Sequence, residues 1–466
     1  MDSEVYDVIV IGAGPGGEVL AGRLGERGHE VALVEAELVG GECSYYACMP
    51  SKALLRPAQA LGEALRVPGA AEAVKGELDV EAVLRRRDEV IHGLHDSAQL
   101  PWLEERGVTL LRGHARLDGE KRVRVGERTY EARRAVVVAV GSAAALPPIP
   151  GLADVSPWTN REVTTTEEVP ARLVILGGGV VGVEMADAFM TLGSKVVVIE
   201  AGERLIAREE PFASELIHKG LSERGVDVRL GISARRVTRE ADGQVRVELA
   251  DGSAVEGEEI LVATGRRPRT EDLGVETVGL KPGEFIEVDE HLQVPGEPWL
   301  YAIGDANGRS LLTHVAKYQA RVLSDLVDGS RGQGIVDNGG PPRVIFTEPQ
   351  VAAVGLTLQQ AIDRGIDAHA YDAPSAGTAG ASFYGRGTPG TSRIVVDEQQ
   401  GLLVGATFTG SDVAEWLHAA TVAIAGRVPV AVLADAIPAF PTRSEIWLSL
   451  LESRETELAA ISGSHD

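Results

Sequence analysis

The chain has 466 residues, of which 69 are acidic and 45 basic, so its formal net charge at pH 7 is −24. Hydrophobic residues make up 44% and charged residues 24%, a composition typical of globular proteins, and the length corresponds to about two to four domains. The acidic excess argues against a nucleic-acid-binding surface, because phosphate contacts need clustered Lys and Arg.

The chain contains two cysteines, Cys43 and Cys48. Two thiols cannot form the disulfide framework of a small secreted protein or a four-cysteine zinc site, so no metal site is predicted. The first residues are acidic and lack the basic flank of a signal peptide. No apolar run reaches the roughly 18 residues that a membrane span needs. We therefore expect a cytoplasmic protein that binds neither nucleic acid nor membranes.

The first predicted element is a strand over 5–11, which is apolar and β-branched, as expected of a parallel strand buried on both faces. A glycine cluster follows, then a helix predicted from about Glu18 to Gly28 and a second strand over 30–35. Together these elements form a βαβ unit of about 30 residues.

The glycine cluster of this unit fits a dinucleotide-binding turn. Gly12 permits the tight turn, Gly14 lets the backbone approach a pyrophosphate, and Gly17 lets the helix pack closely on the strand. The following helix N-terminus offers N–H groups to the phosphates. Glu35 ends the second strand, where a carboxylate can accept hydrogen bonds from a ribose. We interpret this unit as a nucleotide site.

The same pattern recurs later in the chain. A predicted strand over 173–176 leads into a second glycine turn and a helix, and a further strand covers 195–200. The residues that correspond to those of the first unit are Gly177, Gly179, Gly182 and Glu200. The chain thus carries two dinucleotide-type folds.

The acidic residue that ends the second unit indicates which nicotinamide cofactor this unit binds. Glu200 favours a free ribose 2′-hydroxyl, and hence NAD, over a 2′-phosphate. Arg204 and Arg208 follow closely, so NADP also remains possible.

Between the two units the pattern changes twice. Residues 52–100 are predicted to be helical, with charged and apolar residues alternating at helical spacing between Glu81 and His95. Residues 108–140 have the pattern of a strand meander, which ends in an apolar run before Gly141.

The two cysteines lie in the segment 41–52, soon after Glu35 and therefore near the first nucleotide. A thiol near a helix N-terminus has a lowered pKa and reacts as a thiolate. Because Cys43 and Cys48 are five positions apart, they can close a small reducible ring. We interpret them as a redox pair; the alternative is two unrelated buried cysteines.

On these motifs the chain resembles the FAD-dependent pyridine nucleotide–disulfide oxidoreductases, the family of dihydrolipoamide dehydrogenase, glutathione reductase and mercuric reductase. Pro-Ser-Lys follows the cysteine pair, as the family motif requires. The segment 262–268 resembles the family's chain crossing back to the flavin domain, and 300–305 its second flavin motif. The segment 346–349 resembles the start of the dimerisation domain. The resemblance covers essentially the whole chain.

The resemblance implies an α/β fold with two Rossmann-like dinucleotide-binding domains and a C-terminal α+β dimerisation domain. A Pro-rich connector at 146–151 and a Gly/Pro-rich break at 338–342 mark two boundaries. The predicted division is a flavin domain over 1–147, a nicotinamide domain over 148–268, a return to the flavin domain over 269–338 and a dimerisation domain over 339–466. A homodimer is implied.

The resemblance also assigns roles to single residues. Those that would hold FAD are Gly12, Gly14, Gly17, Glu35, Gly141, Asp305, Thr313 and His314. Those that would hold NAD are Gly177, Gly179, Gly182 and Glu200. The catalytic set would be Cys43, Cys48, Lys52, Glu184 and Glu445.

Within the catalytic set, Cys48 would lie against the flavin and Cys43 would be the outer thiol that meets substrate. Lys52 would sit near the flavin N5 and pair with Glu184, since a cation there stabilises negative charge on the reduced ring.

The C-terminal segment departs from the family pattern. Disulfide reductases of the family carry a His-Pro there, followed shortly by Glu, and the imidazole handles the proton of the outer thiol. Here Phe440 occupies the histidine position and Pro438 stands where some members have a further His, although Glu445 remains. Phe cannot accept a proton, so disulfide reduction by the usual route is in doubt.

Three functions therefore stay open. The first is a flavoprotein reductase that passes hydride from NAD(P)H to FAD, and on to the cysteine pair or to a small-molecule electron acceptor such as a quinone. The second is a disulfide reductase, or a dihydrolipoamide dehydrogenase-like enzyme, with an unusual substrate. The third is a non-enzymatic redox sensor. Tyr45 and Tyr46, between the cysteines, either narrow the approach to the sulfurs, flank a planar substrate or pack in the flavin domain.

Overall fold

The computed structural model describes residues 4–329, 339–385 and 390–463. Residues 1–3 of the acidic N-terminus, and Asn338 at the start of the second predicted break, lie outside these ranges. The strands in the described residues are, in chain order, β1 (Glu4–Ile11), β2 (Val31–Glu35), β3 (Val108–Arg112), β4 (Ala115–Leu117), β5 (Arg122–Val125), β6 (Arg128–Val138), β7 (Ser142–Ala144), β8 (Arg172–Leu176), β9 (Lys195–Ile199), β10 (Asp227–Arg229), β11 (Ala234–Arg239), β12 (Val245–Leu249), β13 (Ala254–Gly257), β14 (Glu259–Val262), β15 (Arg266–Pro268), β16 (Gln293–Val294), β17 (Glu297–Ala302), β18 (Arg343–Ile345), β19 (Gln350–Gly355), β20 (Ala368–Pro374), β21 (Thr391–Asp397) and β22 (Leu402–Gly410).

The α-helices of the same residues are α1 (Pro15–Glu26), α2 (Gly41–Tyr45), α3 (Cys48–Arg66), α4 (Val80–Val90), α5 (Leu100–Glu104), α6 (Asn160–Thr165), α7 (Val180–Thr191), α8 (Pro211–Glu223), α9 (Thr313–Val327), α10 (Leu358–Asp363), α11 (Leu417–Ala425), α12 (Val430–Ala434) and α13 (Ile446–Gly463).

The chain divides into two compact units, of which the first comprises 1–51, 85–145 and 265–338. Its main sheet has the strand order β16-β17-β6-β1-β2-β3. The strands from β17 to β3 run parallel, and an antiparallel β4–β5 pair attaches to β6. The central strand β1 is buried along residues 8–11, because a parallel strand between helices has no solvent face.

The predicted βαβ unit forms at the start of this sheet. The strand predicted at 30–35 begins at Val31, and the helix predicted from Glu18 begins at Pro15. The earlier start has a local cause: Gly14 is the N-cap and Pro15 the first helical residue, where its fixed φ and missing N–H are tolerated.

The second unit comprises 52–84, 146–264 and 339–466. It contains a parallel sheet of order β10-β9-β8-β14, an antiparallel sheet β11-β12-β13, and an antiparallel five-stranded sheet β18-β19-β22-β21-β20. Helices α11 and α13 pack on the five-stranded sheet around Phe408 and Trp416. The predicted fold class, two Rossmann-like α/β folds with a C-terminal α+β region, is confirmed.

The helical region between the nucleotide patterns is shorter than its sequence pattern indicates. The helix expected between Glu81 and His95 ends at Val90. His92, Gly93 and Leu94 all have positive φ, at 53°, 57° and 61°, a conformation that an α-helix does not accommodate. No helix in the part of the chain described is long and apolar enough to cross a membrane.

Two glycine contacts fix the start of each Rossmann helix against its strand. A Cβ on Gly17 would lie 1.9 Å from the carbonyl oxygen of Gly12, and a Cβ on Gly182 would lie 1.9 Å from that of Gly177. A Cβ on Gly14, in contrast, would meet nothing within 4 Å. The two glycines of the first motif therefore have different roles. Gly17 permits close packing of backbone on backbone, and Gly14 leaves open space at the N-terminus of α1.

We expect Gly17→Ala to destabilise the apoprotein by about 2 kcal/mol or more, because the added Cβ displaces backbone that cannot yield. Thermal unfolding of the apoprotein measures this effect. Gly14→Ala is the matched control and should leave the melting temperature of the apoprotein within a few degrees of wild type. Equal melting temperatures for the two variants would contradict the assignment.

Candidate active site

The two cysteines lie in two consecutive helices. Cys43 is in α2, and Cys48 begins α3. The chain enters α2 through Gly40 and Gly41, whose φ angles of 112° and 61° lie in the region that favours glycine. A Cβ on Gly41 would lie 2.8 Å from the Cα of Gly14, so the cysteine segment rests on the N-terminus of α1.

One hydroxyl group contacts both sulfurs. Thr313 Oγ1 donates a hydrogen bond to Cys43 Sγ at 3.1 Å and lies 3.4 Å from Cys48 Sγ. Both cysteines are thiols in this structure and half-buried. Thr313 begins α9, so the predicted flavin segment meets the cysteine pair within the first unit.

The pKa of the Cys43 thiol is raised by the hydrogen bond with the Cys48 sulfur, by burial and by the Cys48 charge. The hydrogen bond from Thr313 and the charge of Lys317 act in the opposite direction. The expectation of a lowered pKa from a helix N-terminus is therefore wrong for Cys43. A second sulfur and a dry environment outweigh the end of a helix with five residues.

Lys52 and Glu184 form an ion pair, with 2.8 Å between Lys52 Nζ and Glu184 Oε2. The Glu184 residue is 3% exposed, and its other oxygen accepts a hydrogen bond from the Phe346 N–H at 2.9 Å. Lys52 Nζ also lies 4.9 Å from the centroid of the Phe346 ring. The lysine is thus held by a buried carboxylate and an aromatic face. Its role toward a cofactor stays a prediction.

Asp305 lies in a polar cluster that sequence reasoning identified only in part. Ser142 Oγ donates to Asp305 Oδ2 at 2.5 Å, and Arg266 Nε donates to Ser142 Oγ at 2.6 Å. Burial raises the pKa of Asp305, while Ser142 and Arg266 favour its charged form. Gly141 precedes this serine with φ at 72°.

The same cluster holds the residue before Cys43. Glu42 accepts hydrogen bonds from Arg266 at 3.0 Å and from Arg269 at 2.7 Å. Sequence reasoning missed Glu42, Ser142 and Arg269. The available signal was the pair of arginines in and just after the crossing motif at 262–268, which needed a carboxylate partner.

The two predicted ribose-binding acids hold their own glycine turns. Glu35 accepts backbone hydrogen bonds from Ala13 and Glu37, each at 2.7 Å. Glu200 accepts the equivalent bonds from Gly178 and Gly202, each at 2.6 Å. A carboxylate has about four lone-pair positions, so each acid keeps acceptor capacity for a ribose.

Both glycine turns fit a dinucleotide. Gly14 and Gly179 are the N-caps of α1 and α7, and neither helix has a side-chain cap. The first N–H groups of each helix are therefore available to a phosphate, and the missing Cβ atoms leave room for it.

In the C-terminal segment, Glu445 serves local structure. Glu445 Oε1 accepts hydrogen bonds from the Thr442 N–H at 2.6 Å and the Gly380 N–H at 3.1 Å. Phe440 is 79% exposed. Outside this segment, His314, which was predicted to hold FAD, lies in the first turn of α9 and is also exposed. Glu445 thus anchors its own turn to Gly380, and the position before Pro441 carries no titratable group.

We expect Thr313→Val to shift the alkylation profile of Cys43 to higher pH. The hydrogen bond that Thr313 donates favours the thiolate, so its loss raises further a thiol pKa that is already raised. Iodoacetamide labelling followed by mass spectrometry across a pH series measures this profile. Thr456→Val is the control, because Thr456 Oγ1 donates to the Glu452 carbonyl within its own helix. A profile that moves to lower pH would refute the role of Thr313.

Comparison with known proteins agrees with this geometry. The profile described as "Pyridine nucleotide-disulphide oxidoreductase" matches residues 6–320, and that of the family's "dimerisation domain" matches residues 341–450. The chain is 34% identical to the dihydrolipoyl dehydrogenase of Thermus scotoductus, over 97% of each chain. It is 30% identical to a mercuric reductase of Staphylococcus aureus, over 94% of this chain and 81% of the relative.

A solved structure gives the same result. The HOCl-induced flavoprotein disulfide reductase RclA from Escherichia coli matches with a TM-score of 0.84 and 27% identity, over 96% of this chain and 99% of that one. The resemblance drawn from the motifs is confirmed, and FAD and NAD(P) are the cofactors typical of the family. The chain therefore belongs to the pyridine nucleotide–disulphide oxidoreductases and carries their dimerisation domain.

Proposed function

We propose that this flavoprotein takes hydride from NAD(P)H and passes the electrons from FAD to the Cys43–Cys48 pair, directly to a small-molecule acceptor such as a quinone, or to both. The observation that supports this proposal best is the single Thr313 hydroxyl within 3.4 Å of both sulfurs. The two sulfurs also hydrogen-bond each other, so they are close enough to interconvert between a dithiol and a disulfide. Two unrelated buried cysteines would not meet in this way.

The residues that fit the cofactors follow from the two glycine turns. FAD would be held by Gly12, Gly14, Gly17, Glu35, Gly141, Asp305, Thr313 and His314. The nicotinamide cofactor would be held by Gly177, Gly179, Gly182 and Glu200. FAD, when bound, accepts hydride from NAD(P)H and makes two electrons available.

The other predicted catalytic residues have distinct tasks. Lys52 keeps a positive charge in place through its 2.8 Å ion pair with Glu184, and such a charge stabilises negative charge that develops nearby. Glu445 keeps the turn after Phe440 in place, so its task is structural in this chain.

The acceptor we favour is a quinone or a similar small oxidant. An alkyl thiolate that leaves near neutral pH needs a group that transfers a proton to it, in this family an imidazole, and position 440 holds a phenylalanine. A quinone accepts electrons without releasing a thiolate, so its reduction does not depend on that base.

The second candidate is a disulfide acceptor. It is favoured by the half-buried Cys43, which is reachable from solvent, and by the names of the relatives, a dihydrolipoyl dehydrogenase and a disulfide reductase. A redox sensor without turnover is less favoured, because the chain belongs to an enzyme family with two nucleotide sites.

We further propose a cytoplasmic homodimer built on the dimerisation domain. Ile437 and Phe440 are 93% and 79% exposed, and exposed apolar side chains in a dimerisation domain indicate surface that a second copy covers.

Anaerobic titration with NADH and thiol trapping tests the electron path. We expect about two NADH equivalents to be consumed per FAD, since the flavin and the disulfide each accept two electrons. Both cysteines should then become open to alkylation. If one equivalent reduces the flavin and both cysteines stay blocked, the pair lies outside the path.

The same protein carrying Cys48→Ser separates the two acceptors. Loss of disulfide turnover together with retained quinone turnover would place the quinone reaction at the flavin. Loss of both activities would place the cysteine pair in both.

Phe440→His tests the missing base. If the absence of an imidazole at position 440 limits disulfide turnover, this variant should raise the turnover of an alkyl disulfide by about tenfold or more. Quinone turnover should stay within about twofold, since that reaction needs no thiol base. Phe440→Leu is the control for a change of side chain at this exposed position. Equal disulfide turnover in the two variants would count against the role assigned to position 440.

A further inference from the structure

Helix α2, which carries Cys43, is too short to hold its own position. It has five residues, and forming a single helical turn costs more conformational entropy than its few hydrogen bonds return. The position of α2 therefore depends on contacts with the rest of the first unit. At its start Gly41 rests on Gly14, and at its end Tyr45 is buried. Between these ends, the residue before Cys43 provides a further attachment.

Glu42 provides this attachment through both oxygens of its carboxylate. Oε2 accepts a hydrogen bond from Arg266 at 3.0 Å, and Oε1 accepts one from Arg269 at 2.7 Å. All three side chains are mostly buried. A carboxylate that binds a different guanidinium at each oxygen has both its position and its plane fixed, and such charge-assisted hydrogen bonds are stronger than neutral ones.

The two arginines are held by a pair of strands. Arg266 begins β15, which pairs with β7, and Arg269 directly follows β15. Ser142, the first residue of β7, is buried, and its carbonyl accepts hydrogen bonds from Arg266 at 2.8 Å and from Arg269 at 3.2 Å. Ser142 Oγ accepts a further bond from Arg266 at 2.6 Å. The arginines are thus a fixed support for Glu42, and we call these two arginines and Glu42 the Glu42 clamp.

The Glu42 clamp acts directly beside the sulfur contacts. Cys43 follows Glu42 in the chain, and its sulfur accepts a hydrogen bond at 3.1 Å from the Thr313 hydroxyl, which also lies 3.4 Å from Cys48 Sγ. Because one peptide bond joins Cys43 to Glu42, a shift of Glu42 moves the Cys43 sulfur relative to that of Cys48. Formation of a disulfide depends on this placement, since the two Cβ atoms must come within about 4.5 Å of each other.

We propose that the Glu42 clamp is a positioning device that holds Cys43 in the place where it forms a disulfide with Cys48. This inference rests on the redox role of the cysteine pair in the proposed function. In the dithiol the clamp keeps α2 where the closed ring needs it, so ring closure orders little additional chain. The clamp thereby favours the disulfide, and a pair whose disulfide is favoured is a stronger reductant toward its acceptor when it is a dithiol.

An effect of position and an effect of charge differ in sign between the members of the clamp. Removal of the Glu42 carboxylate leaves the positive charge of the arginines near Cys43, and positive charge stabilises a thiolate and hence the reduced pair. Removal of the Arg269 guanidinium has the opposite electrostatic effect. Loss of positioning, in contrast, moves the equilibrium toward the dithiol in both cases. The direction of the shift in Arg269→Gln therefore decides between position and charge.

The test measures the equilibrium between the dithiol and the disulfide in the holoenzyme. The protein is equilibrated anaerobically in buffers with different ratios of reduced to oxidised dithiothreitol, then quenched, alkylated and analysed by mass spectrometry. In this exchange the Cys43 and Cys48 thiols lose two electrons and two protons and form one S–S bond. The S–S bond of oxidised dithiothreitol breaks and takes up both electrons and both protons.

We expect Glu42→Gln and Arg269→Gln each to raise the ratio of dithiol to disulfide about tenfold in a given buffer, the size expected when a charge-assisted hydrogen bond is lost. Glu42→Asp keeps the charge on a shorter side chain and should lie between wild type and Glu42→Gln. Arg267→Gln is the matched control, because it removes a cation from the same strand, where Arg267 pairs with Glu271. It should change the ratio by less than about twofold.

Flavin content and melting temperature show which variants are folded. A ratio within about twofold of wild type in either Glu42→Gln or Arg269→Gln would overturn the inference. A shift of Arg269→Gln toward the disulfide would overturn it as well, since that result assigns the effect to charge. If Glu42→Gln does not retain flavin, the direction of the Arg269→Gln shift decides. If the wild-type cysteines form no disulfide in any buffer, the redox pair of the proposed function is overturned, and the clamp with it.

Discussion

The close approach of Gly17 to the Gly12 carbonyl is the contact on which the first unit depends. It sets the start of α1 against β1, and a Cβ at position 17 would intrude to 1.9 Å. Once α1 starts there, Gly14 offers a bare backbone surface, on which Gly41 rests. That second glycine contact places the start of α2, two residues before Cys43, against the N-terminus of α1. The geometry of the redox pair thus follows from two places where backbone meets backbone without side chains.

Burial and polar partners act in opposite directions at three titratable groups of the first unit. Burial raises the pKa of Cys43, Asp305 and Glu18. Hydrogen bonds from Thr313 and Ser142, and the charges of lysine and arginine side chains, favour the ionised forms. The pKa of each of these groups is therefore set by burial and by its partners together, as is common at functional sites. The Lys52–Glu184 pair of the second unit differs, since its members neutralise each other.

The phenylalanine at position 440, where the family pattern has a histidine, changes which electron acceptors can be reduced without a proton-transferring side chain. Electron transfer to a quinone avoids a thiolate leaving group, whereas exchange with an alkyl disulfide needs a proton carrier.

The sequence by itself determined the two Rossmann folds, the family and the cysteine pair, because glycine turns, buried parallel strands and the Cys-x4-Cys spacing are local patterns. Only the tertiary structure placed Thr313 against both sulfurs, since its hydrogen bond joins residues 270 positions apart. The same holds for Glu42 with its two arginines. The direction of the Cys43 pKa was also decided by tertiary structure, because burial and a neighbouring sulfur outweighed the local helix end. Local spacing fixes which residues can act; the packing of distant helices decides which of them meet.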